Sequence, residues 1–425
     1  MTSISEKVID KTGLKLHIVT TDKYKTNTLV WKMKAPLEKD TVTLRGLLPH
    51  VLQSNTKNYP TNTKLRTYLD DLYGASLYVD LAKKGEFHVM SFTIEIANEK
   101  FLTDPTSLLE KAFQILTEVL LQPNVTNNAF DSATVDKEKR TLKQRIQSIY
   151  DDKMKYSSVR LIEEMCKGES FELEANGIKD EVDSITPETL YRYYEKALNN
   201  DEIDLYIIGD VKEQEVVDLA ERYIKLSDRP KGERVQHDRK QIDDVKEIKE
   251  NQDVKQGKLN IGYRTNIYYG DEKYYPLQVF NGIFGGFSHS KLFINVREKA
   301  SLAYYAASRL ESHKGLLLVM SGIDNNNYDK AVSIIHEQMD AMKKGDFSED
   351  ELAQTKAVIK NQLLETIDVA RGLVEVLYHN VIIGKNISLN EWMEKTDEVT
   401  REEIVDVAQS IELDTIYFLT GTKGE

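Results

Sequence analysis

The chain has 425 residues, of which 40% are hydrophobic and 30% are charged, and its formal net charge at pH 7 is −13. This length exceeds the size at which one hydrophobic core usually keeps growing, so two or more domains are expected. The negative charge argues against nucleic acid and anionic membrane surfaces as partners. No stretch approaches the roughly 18 uninterrupted apolar residues of a membrane span.

Two features indicate the cellular compartment. The start of the chain lacks the apolar core of a secretory signal, and the single cysteine, Cys166, cannot form an intramolecular disulfide. A chain without disulfides suits a reducing compartment, so we expect a cytoplasmic protein. Cys166 itself is expected to be an inert thiol on a helix.

The two halves of the chain match each other without gaps. Several residues of the first half fall on identical residues of the second at one constant offset of 230 residues, which is the signature of a duplicated domain. The matches are Leu29 with Leu259, Leu72 with Leu302, Lys84-Gly85 with Lys314-Gly315, residues 89–91 with 319–321, and Lys100 with Lys330. Because they occur in the same order, we infer two copies of one domain.

The residue pattern of each copy predicts a mixed α/β unit that begins with a strand. Apolar and polar residues roughly alternate over residues 28–33 and 258–263, and helical patterns follow in both halves. We therefore expect an α+β protein of two homologous domains, residues 1–226 and 246–425, each a mixed, mostly antiparallel sheet with helices packed on it. The charged segment 227–245 between them is expected to be an exposed linker.

The first predicted helix is followed by Asn-Thr-Lys-Asn-Tyr-Pro at residues 55–60. This stretch resembles the Gly-Thr-Lys-x-Tyr-Pro sequence that follows the His-x-x-Glu-His helix in the family of pitrilysin, insulin-degrading enzyme and the mitochondrial processing peptidase. In that helix two histidines one turn apart bind zinc, and the glutamate activates the bound water. Counting back places the motif on residues 46–50, where Gly46 and Pro49 replace the first histidine and the glutamate, and only His50 remains.

The family's third zinc ligand is a glutamate on a later helix, and the resemblance places this position on Gln144 or Arg145. Neither an amide nor a cation replaces a carboxylate as a zinc ligand, and no two histidines of the chain are four residues apart. The resemblance therefore implies a degenerate motif in a chain that binds no metal, with His50 a helix-end or core residue. Because Pro49 lacks an amide hydrogen, we expect the helix to begin or kink there.

The second half carries a motif that is intact. Residues 285–293 read Gly-Gly-Phe-Ser-His-Ser-Lys-Leu-Phe, and residues 296–304 read Val-Arg-Glu-Lys-Ala-Ser-Leu-Ala-Tyr. These stretches resemble the family's Gly-Gly-x-x-Ser-Ser-Arg-Leu-Phe and Arg-Glu-Lys-x-x-Leu-Ala-Tyr sequences. By this resemblance the family's two substrate-contacting residues fall on Arg297 and Tyr304.

The chemistry of Arg297 and Tyr304 suits substrate binding. Arginine offers several N–H donors to peptide carbonyls, and a tyrosine hydroxyl can hydrogen-bond a carbonyl or a developing oxyanion. Seven residues span about two helical turns, so both side chains would share one face of a continuous helix. The resemblance also assigns Gly285 and Gly286 to the substrate-binding stretch. The alternative is that Arg297 forms an ordinary surface ion pair and Tyr304 packs in a core.

Some members of this family divide the work between two chains, one with the zinc motif and one with the arginine and tyrosine. The resemblance implies that this chain is of the second kind: the non-catalytic, substrate-binding subunit of a heterodimeric zinc metalloendopeptidase. It would form half of a clamshell with a homologous zinc-bearing partner and supply Arg297 and Tyr304 to that partner's zinc site. A peptide substrate would pair with a strand edge beside the zinc, which recognises backbone more than side chains. No peptidase activity is expected from the chain alone.

Three alternatives stay open at the level of the sequence. The chain could be a catalytically inert scaffold of the same fold, although a scaffold has no reason to keep Arg297 and Tyr304. It could be a self-sufficient peptidase with an unrecognised metal site, or a peptide-binding, chaperone-like module. Zinc content, peptide turnover and peptide binding by the purified chain distinguish these classes.

Overall fold

The computed structural model of the chain describes residues 5–103, 106–229 and 240–421. Of the predicted linker, residues 230–239 lie outside this range, as does His237. None of the described helices is both long enough and apolar enough to cross a membrane.

The N-terminal half contains eight described strands and seven described α-helices. The strands are β1 (Glu6–Lys11), β2 (Leu14–Thr20), β3 (Thr26–Pro36), β4 (Ser76–Lys84), β5 (Phe87–Ala97), β6 (Val125–Thr126), β7 (Ala129–Phe130) and β8 (Glu202–Gly209). The helices are α1 (Lys39–Ser54), α2 (Asn62–Asp71), α3 (Leu108–Leu121), α4 (Ser132–Asp151), α5 (Lys153–Met165), α6 (Pro187–Asn200) and α7 (Glu213–Tyr223). Six strands form one sheet in the order β1-β2-β8-β3-β5-β4, and β6 and β7 form a small hairpin.

The C-terminal half repeats this pattern among its described residues. Its strands are β9 (Lys246–Gln252), β10 (Gly257–Arg264), β11 (Ala303–Glu311), β12 (Leu316–Ile323) and β13 (Glu412–Gly421). Its helices are α8 (Tyr274–Asn281), α9 (Tyr328–Lys343), α10 (Glu349–Thr366), α11 (Ala370–Ile383), α12 (Leu389–Glu398) and α13 (Arg401–Ser410). The strands form one sheet in the order β11-β12-β10-β13-β9. Two π-helical segments, Gly282–Gly286 and Phe293–Lys299, lie between α8 and β11.

The two sheets share one topology over five strands. The order β2-β8-β3-β5-β4 in the first sheet corresponds to β9-β13-β10-β12-β11 in the second. In both sheets the first neighbouring pair is parallel and the other three are antiparallel. This agreement confirms the predicted fold class, two homologous units with mixed, mostly antiparallel sheets.

The constant offset between the two halves holds only locally. Gly85 and Gly315 both lie in the turn that joins the last two strands of the equivalent hairpins, with φ of +60° and +70°. Glycine adopts this left-handed region without the steric penalty that other residues incur. The first turn, however, consists of residues 85–86 and the second of residues 312–315. The sequence offset between equivalent residues of the two copies therefore changes where the turns differ in length.

The described residues cluster into two compact units that are not contiguous in the chain. One unit contains the residues up to Ser148, residues 173–229 and Val369–Val374; the other contains Ile149–Glu172, the residues from 240 to Asp368, and residues 375–421. Each unit thus includes a segment from the other half of the sequence. The contiguous boundaries predicted above, residues 1–226 and 246–425 with a linker between them, stay a prediction.

Apolar packing explains why α5 belongs with the second sheet. Helix α5 contributes to a buried cluster on that sheet, whose members include Leu161, Met165, Leu318, Tyr417 and Leu419. Alternate residues of a strand point to opposite faces, so β12 and β13 can present one apolar row to α5 and another to the helices on the other side. In the first unit, the guanidinium carbon of Arg371 lies 4.3 Å from the ring centroid of Tyr78 on β4.

A buried ion pair fixes α1 on the first sheet. The side chain of Arg45 is fully buried and donates a 2.7 Å hydrogen bond to the carboxylate of Asp201. It also donates to the hydroxyl of Tyr193 and to the carbonyls of Met33 and His88 at 3.0–3.1 Å. Breaking a buried pair leaves an uncompensated charge, so this network holds the helix in one position.

Candidate functional site

Helix α1 carries the degenerate motif. Gly46 and Pro49 are buried inside the helix, and His50 is half-buried. We expected the helix to begin or kink at Pro49, and the first of these alternatives is wrong, because α1 begins at Lys39 and continues past the proline. The apolar face of α1 packs in the core of the first unit, and this burial outweighs the lost hydrogen bond to the carbonyl of Arg45.

Backbone atoms cover the position of the missing first histidine. A Cβ atom added to Gly46 would lie 2.4 Å from the carbonyl oxygen of Asn176. The neighbouring Gly177 has a φ of +88°, and a Cβ there would lie 2.5 Å from the Cα of Thr43. The amide of Ile178 donates a 3.1 Å hydrogen bond to the Thr43 hydroxyl, which fixes this segment on α1. A side chain at position 46 therefore requires a backbone displacement.

His50 lies on α1 and Arg145 on α4, two helices that are in contact. The hydroxyl of Ser54 on α1 donates a 2.8 Å hydrogen bond to Glu138 on α4, which places the two helices side by side. Burial, together with the positive charge of Arg145, lowers the pKa of His50 to about 4. The imidazole is thus neutral at neutral pH. Gln144 is exposed, so of the two residues considered for the third ligand position it is Arg145 that lies beside His50.

The residues at this position do not fit zinc. A zinc peptidase needs three protein ligands and an open position for water, and here one imidazole lies beside a guanidinium cation. Within residues 5–103, 106–229 and 240–421, no group of three or more histidine, cysteine, aspartate or glutamate side chains could hold a metal ion. The described part of the chain therefore carries no metal-ligand set.

One histidine pair could not be predicted from the sequence. Nε2 of His313 lies 2.6 Å from Nδ1 of His379, and the ring of Tyr269 stacks on His379 with centroids 4.7 Å apart. The two histidines lie on the β11–β12 turn and on α11, and only the fold brings them together. Two imidazoles at hydrogen-bond distance share one proton and are too few to form a structural zinc site.

The glycine pair places the intact motif directly on β11. Gly285 is buried, and a Cβ atom there would lie 2.5 Å from Oγ and 2.8 Å from N of Ser308. Gly286 is exposed, and its nearest neighbour would be the flexible amide of Asn281 at 3.0 Å. π-Helical segments are uncommon and occur often at functional sites. The close approach of Gly285 to β11 explains by packing why a glycine is present there. Gly285 would therefore affect substrate binding indirectly, by positioning the segment that carries the motif.

Arg297 lies on the second π-helical segment and is exposed. Its guanidinium carbon lies 4.5 Å from the ring centroid of Phe293, a cation–π contact that holds the side chain. Among the described residues, no carboxylate or carbonyl forms an ion pair or hydrogen bond with it. The alternative of an ordinary surface ion pair therefore has no support in the described part of the chain.

Tyr304 is the extra residue of a β-bulge at the start of β11. Ala303 pairs with Ile323 and Tyr305 with Gly322, so Tyr304 has no partner in the register. A bulge redirects its side chain, and Tyr304 is 78% exposed. Its hydroxyl makes no hydrogen bond to any described residue, and the alternative of core packing is thereby contradicted.

Arg297 and Tyr304 do not lie on one continuous helix, so the condition under which they would share a helix face is not met. The π-helical segment ends at Lys299, Ser301 has a φ of +52°, and β11 begins at Ala303. The two side chains therefore come from the end of a helix and the start of a strand. Such a break cannot be read from the spacing of seven, because the residue types between them also suit a helix.

A free strand edge lies beside the degenerate motif. Strand β4 is the last strand of the first sheet. The side-chain amide of Gln53 on α1 donates a 2.8 Å hydrogen bond to the carbonyl of Leu77, and the amide of Leu81 donates to the Asp80 carboxylate at 2.9 Å. These contacts show that the odd-numbered residues of β4 direct their backbone groups away from β5, as alternation in an antiparallel ladder requires.

Comparisons with known proteins agree with this assignment. A family model described as "Peptidase M16 inactive domain" matches residues 184–359. The Bacillus subtilis (strain 168) protein named "Probable inactive metalloprotease YmfF" is 54% identical over 424 residues, covering 100% of both chains. "Uncharacterized zinc protease YmxG" of the same strain is 22% identical over 289 residues, covering 67% of this chain and 69% of the relative. A crystal structure of a conserved protein from Enterococcus faecalis V583 has 36% identity and a TM-score of 0.92, over 99% of both chains.

Similarity of this extent covers both halves of the molecule, including the altered motif on α1 and the intact one before β11. It confirms the resemblance that residues 55–60 and 285–304 indicate. The chain belongs to the M16 family of zinc peptidases, which includes the mitochondrial processing peptidase, as a peptidase-like member whose zinc motif has been lost.

Proposed function

We propose that this chain is the non-catalytic, substrate-binding subunit of a heterodimeric zinc metalloendopeptidase that processes peptides. The observation that carries the proposal is the contrast between its two motifs. Backbone of Asn176 fills the position of the first metal ligand, whereas the polar groups of Arg297 and Tyr304 are exposed to solvent and form no hydrogen bond or ion pair with another described residue. A homologous partner would carry the zinc that polarises the scissile carbonyl.

Arg297 and Tyr304 would act at the partner's zinc site by hydrogen bonding. The guanidinium, held over Phe293, offers parallel donors to peptide carbonyls. The phenol of Tyr304 can donate to the carbonyl oxygen, and the bond strengthens as negative charge develops there. An exposed tyrosine on a bulge and an exposed arginine without an ion pair contribute little to folding, which supports a role in binding.

The experiment begins with the partner. Affinity purification of the chain from its source cell should bring down a similar-sized protein with a His-x-x-Glu-His sequence. In the reconstituted complex, we expect Arg297→Ala and Tyr304→Phe each to lower peptide turnover by about 100-fold, the scale of one lost transition-state donor. Zinc in the partner should stay stoichiometric. Arg309→Ala, an exposed residue further along β11, is the matched control and should keep full turnover.

Two outcomes decide against this function. Full activity of both the Arg297 and the Tyr304 variants would remove them from the reaction. Failure of any zinc-bearing chain to co-purify, with tight peptide binding by the chain alone, would favour an inert scaffold or peptide-binding protein of the same fold. The filled position at Gly46 suits that second candidate equally well, whereas the exposed pair does not.

A cytoplasmic location is part of the same proposal. The single thiol, Cys166, is buried, and Arg264 Nη2 lies 4.0 Å from its sulfur. A chain that relies on no disulfide suits a reducing compartment. Fractionation of the source cell, with detection of the chain by antibody, is the direct measurement.

A further inference from the structure

Beside His50 the structure leaves a cation without an acceptor. The Nη1 atom of Arg145 is shut off from solvent and has no hydrogen-bond acceptor among the described residues. Glu138, two turns earlier on α4, accepts a hydrogen bond from Ser54 at 2.8 Å and lies 3.3 Å from Nζ of Lys137. Both contacts use Oε1 of Glu138, and although the charge of this carboxylate acts on Arg145, it forms no ion pair or hydrogen bond with Arg145. Buried donors without an acceptor are rare in native proteins, and they mark positions where a ligand or an ordered water completes the bond.

His50 adds a second donor at the same place. Its ring makes no hydrogen bond to any described residue, and a neutral imidazole carries one N–H donor. Helix α4 around Arg145 is also locally basic: it contains five lysine and arginine residues and three acidic ones, in a chain whose net charge is −13. The site is thus a local positive region with donors, and the nearby carboxylate of Glu138 forms no ion pair or hydrogen bond with Arg145.

The free edge of β4 passes close to this site. Gln53 lies three residues after His50 on α1, so both side chains occupy neighbouring positions on the helix surface. The hydrogen bond from Gln53 to the carbonyl of Leu77 shows that this side of α1 reaches the outer edge of β4. A peptide that extends the sheet along β4, in place of the Gln53 contact at Leu77, would therefore run along the side of α1 that carries His50, the helix that α4 and Arg145 adjoin.

We propose that Arg145 and His50 form a carboxylate-binding site for a peptide that pairs with the free edge of β4. The proposal rests on the proposed function only in taking a peptide as the ligand. A guanidinium matches a carboxylate with two parallel hydrogen bonds, which neither a peptide carbonyl nor a water can accept in the same way. The carboxylate comes either from the C-terminus of the peptide or from an aspartate or glutamate side chain.

The test measures binding of three eight-residue peptides, each carrying a fluorescein label on its N-terminus, to the purified full chain by fluorescence anisotropy. All consist of alanine, valine and threonine: one has a free C-terminal carboxylate, one has a C-terminal amide, and one has an amide with a single internal glutamate. We expect at least one carboxylate-bearing peptide to bind about tenfold more tightly than the neutral amide, the scale of a hydrogen bond to a charged group. Which of the two binds identifies the source of the carboxylate.

Substitutions of Arg145 test whether this residue causes the preference for carboxylate-bearing peptides. Arg145→Gln should abolish it and Arg145→Lys should retain part of it, whereas Arg140→Gln, on an exposed position of the same helix, should leave it intact. A second readout follows the imidazole of His50 by NMR, whose resonances should shift on addition of the preferred peptide but not of the neutral amide. Thermal unfolding confirms that each variant is folded.

Any of three results would contradict the proposed site. These are equal affinity for all three peptides, no binding of any peptide, and a preference for carboxylate that remains after Arg145→Gln. This result is separable from the proposed function, because turnover by the complex is measured with Arg297 and Tyr304. If those variants keep full turnover while the carboxylate preference depends on Arg145, the proposed function fails and the site stands.

Discussion

Gly46 and Arg145 change the chemistry of α1 and α4 by two different physical means. At Gly46 the carbonyl of Asn176 occupies the space of a side chain, which is a matter of packing. At Arg145 a fixed positive charge lies beside a neutral imidazole, which is a matter of electrostatics. Either effect alone opposes binding of a divalent cation. Because both are present, restoring a zinc site would require changes beyond the motif residues themselves.

The first prediction concerns restoration of the motif by Gly46→His with Pro49→Glu. We expect no stoichiometric zinc after dialysis, measured by elemental analysis, because the imidazole collides with the Asn176 backbone and the third ligand position holds Arg145. Gly46→Ala alone should lower the free energy of unfolding by about 1–3 kcal/mol, the usual cost of overpacking. Lys39→Ala, exposed at the start of the same helix, should change it by less than about 0.5 kcal/mol. One bound zinc per chain would contradict this account.

The second prediction concerns pH and His17, which lies between two carboxylates. Nδ1 of His17 is 2.7 Å from Glu6 and Nε2 is 2.9 Å from Asp204. Burial opposes protonation, but the hydrogen bonds and charges of Asp204 and Glu6 outweigh it and raise the pKa of His17. The stabilisation is therefore fully present below the unfolded pKa of about 6.5 and is lost as pH rises through the higher folded value.

The measurement compares wild type with His17→Gln by urea unfolding at several pH values. The difference in unfolding free energy should be largest near about pH 6 and should shrink as pH rises through the folded pKa. His336→Gln is the control, because burial lowers the pKa of His336 and its contribution has the opposite sign. A His17 difference that stays constant with pH would show that the imidazolium is not what stabilises this contact.

At the scale of elements, the motif proposed to bind substrate depends on irregular geometry. Two π-helical segments and a β-bulge lie between α8 and the regular part of β11. They place Arg297 at the end of a helix and Tyr304 at the start of a strand, both exposed. In a regular helix through residues 293–304, the same two side chains would point in other directions. The resemblance identified the residues, but local irregularity sets their directions.

The third prediction tests the packing that holds these segments. Gly285→Ala should destabilise the chain by about 1–3 kcal/mol, because its Cβ meets backbone and hydroxyl atoms of Ser308. Gly286→Ala is the matched control and should cost less, because its Cβ would meet the side-chain amide and the backbone carbonyl of Asn281 at 3.0 and 3.1 Å rather than at 2.5–2.8 Å. Chemical unfolding of both variants gives the comparison. Equal losses from the two would argue that the close approach to β11 is unimportant.

At the scale of the whole molecule, each compact unit takes a segment from the other half of the chain. Residues 149–172, including α5, lie in the unit of the second sheet, and Val369–Val374 lie in the unit of the first. Separating the halves at the linker therefore removes apolar partners from both. The duplication visible in the sequence does not imply two halves that fold alone.

The fourth prediction concerns fragments 1–226 and 246–425. Expressed separately, each should lack cooperative thermal unfolding, because Leu161 and Met165 lose the strands that bury them and the second sheet loses its cover. Expressed together, the fragments should recover it. Cooperative unfolding of either fragment alone, measured by circular dichroism, would support the contiguous boundaries instead.

The sequence by itself determined the duplication and the mixed fold of each copy, which follow from residue types at fixed spacings. Its resemblance to the family placed the altered zinc motif on Gly46 and Pro49 and the proposed substrate pair on Arg297 and Tyr304. The tertiary structure decided that α1 runs through Pro49, that Tyr304 lies on a strand, and that Arg145 rather than Gln144 lies beside His50. It also paired His313 with His379. Each of these depends on contacts between distant residues, where burial outweighs the local preferences that a sequence displays.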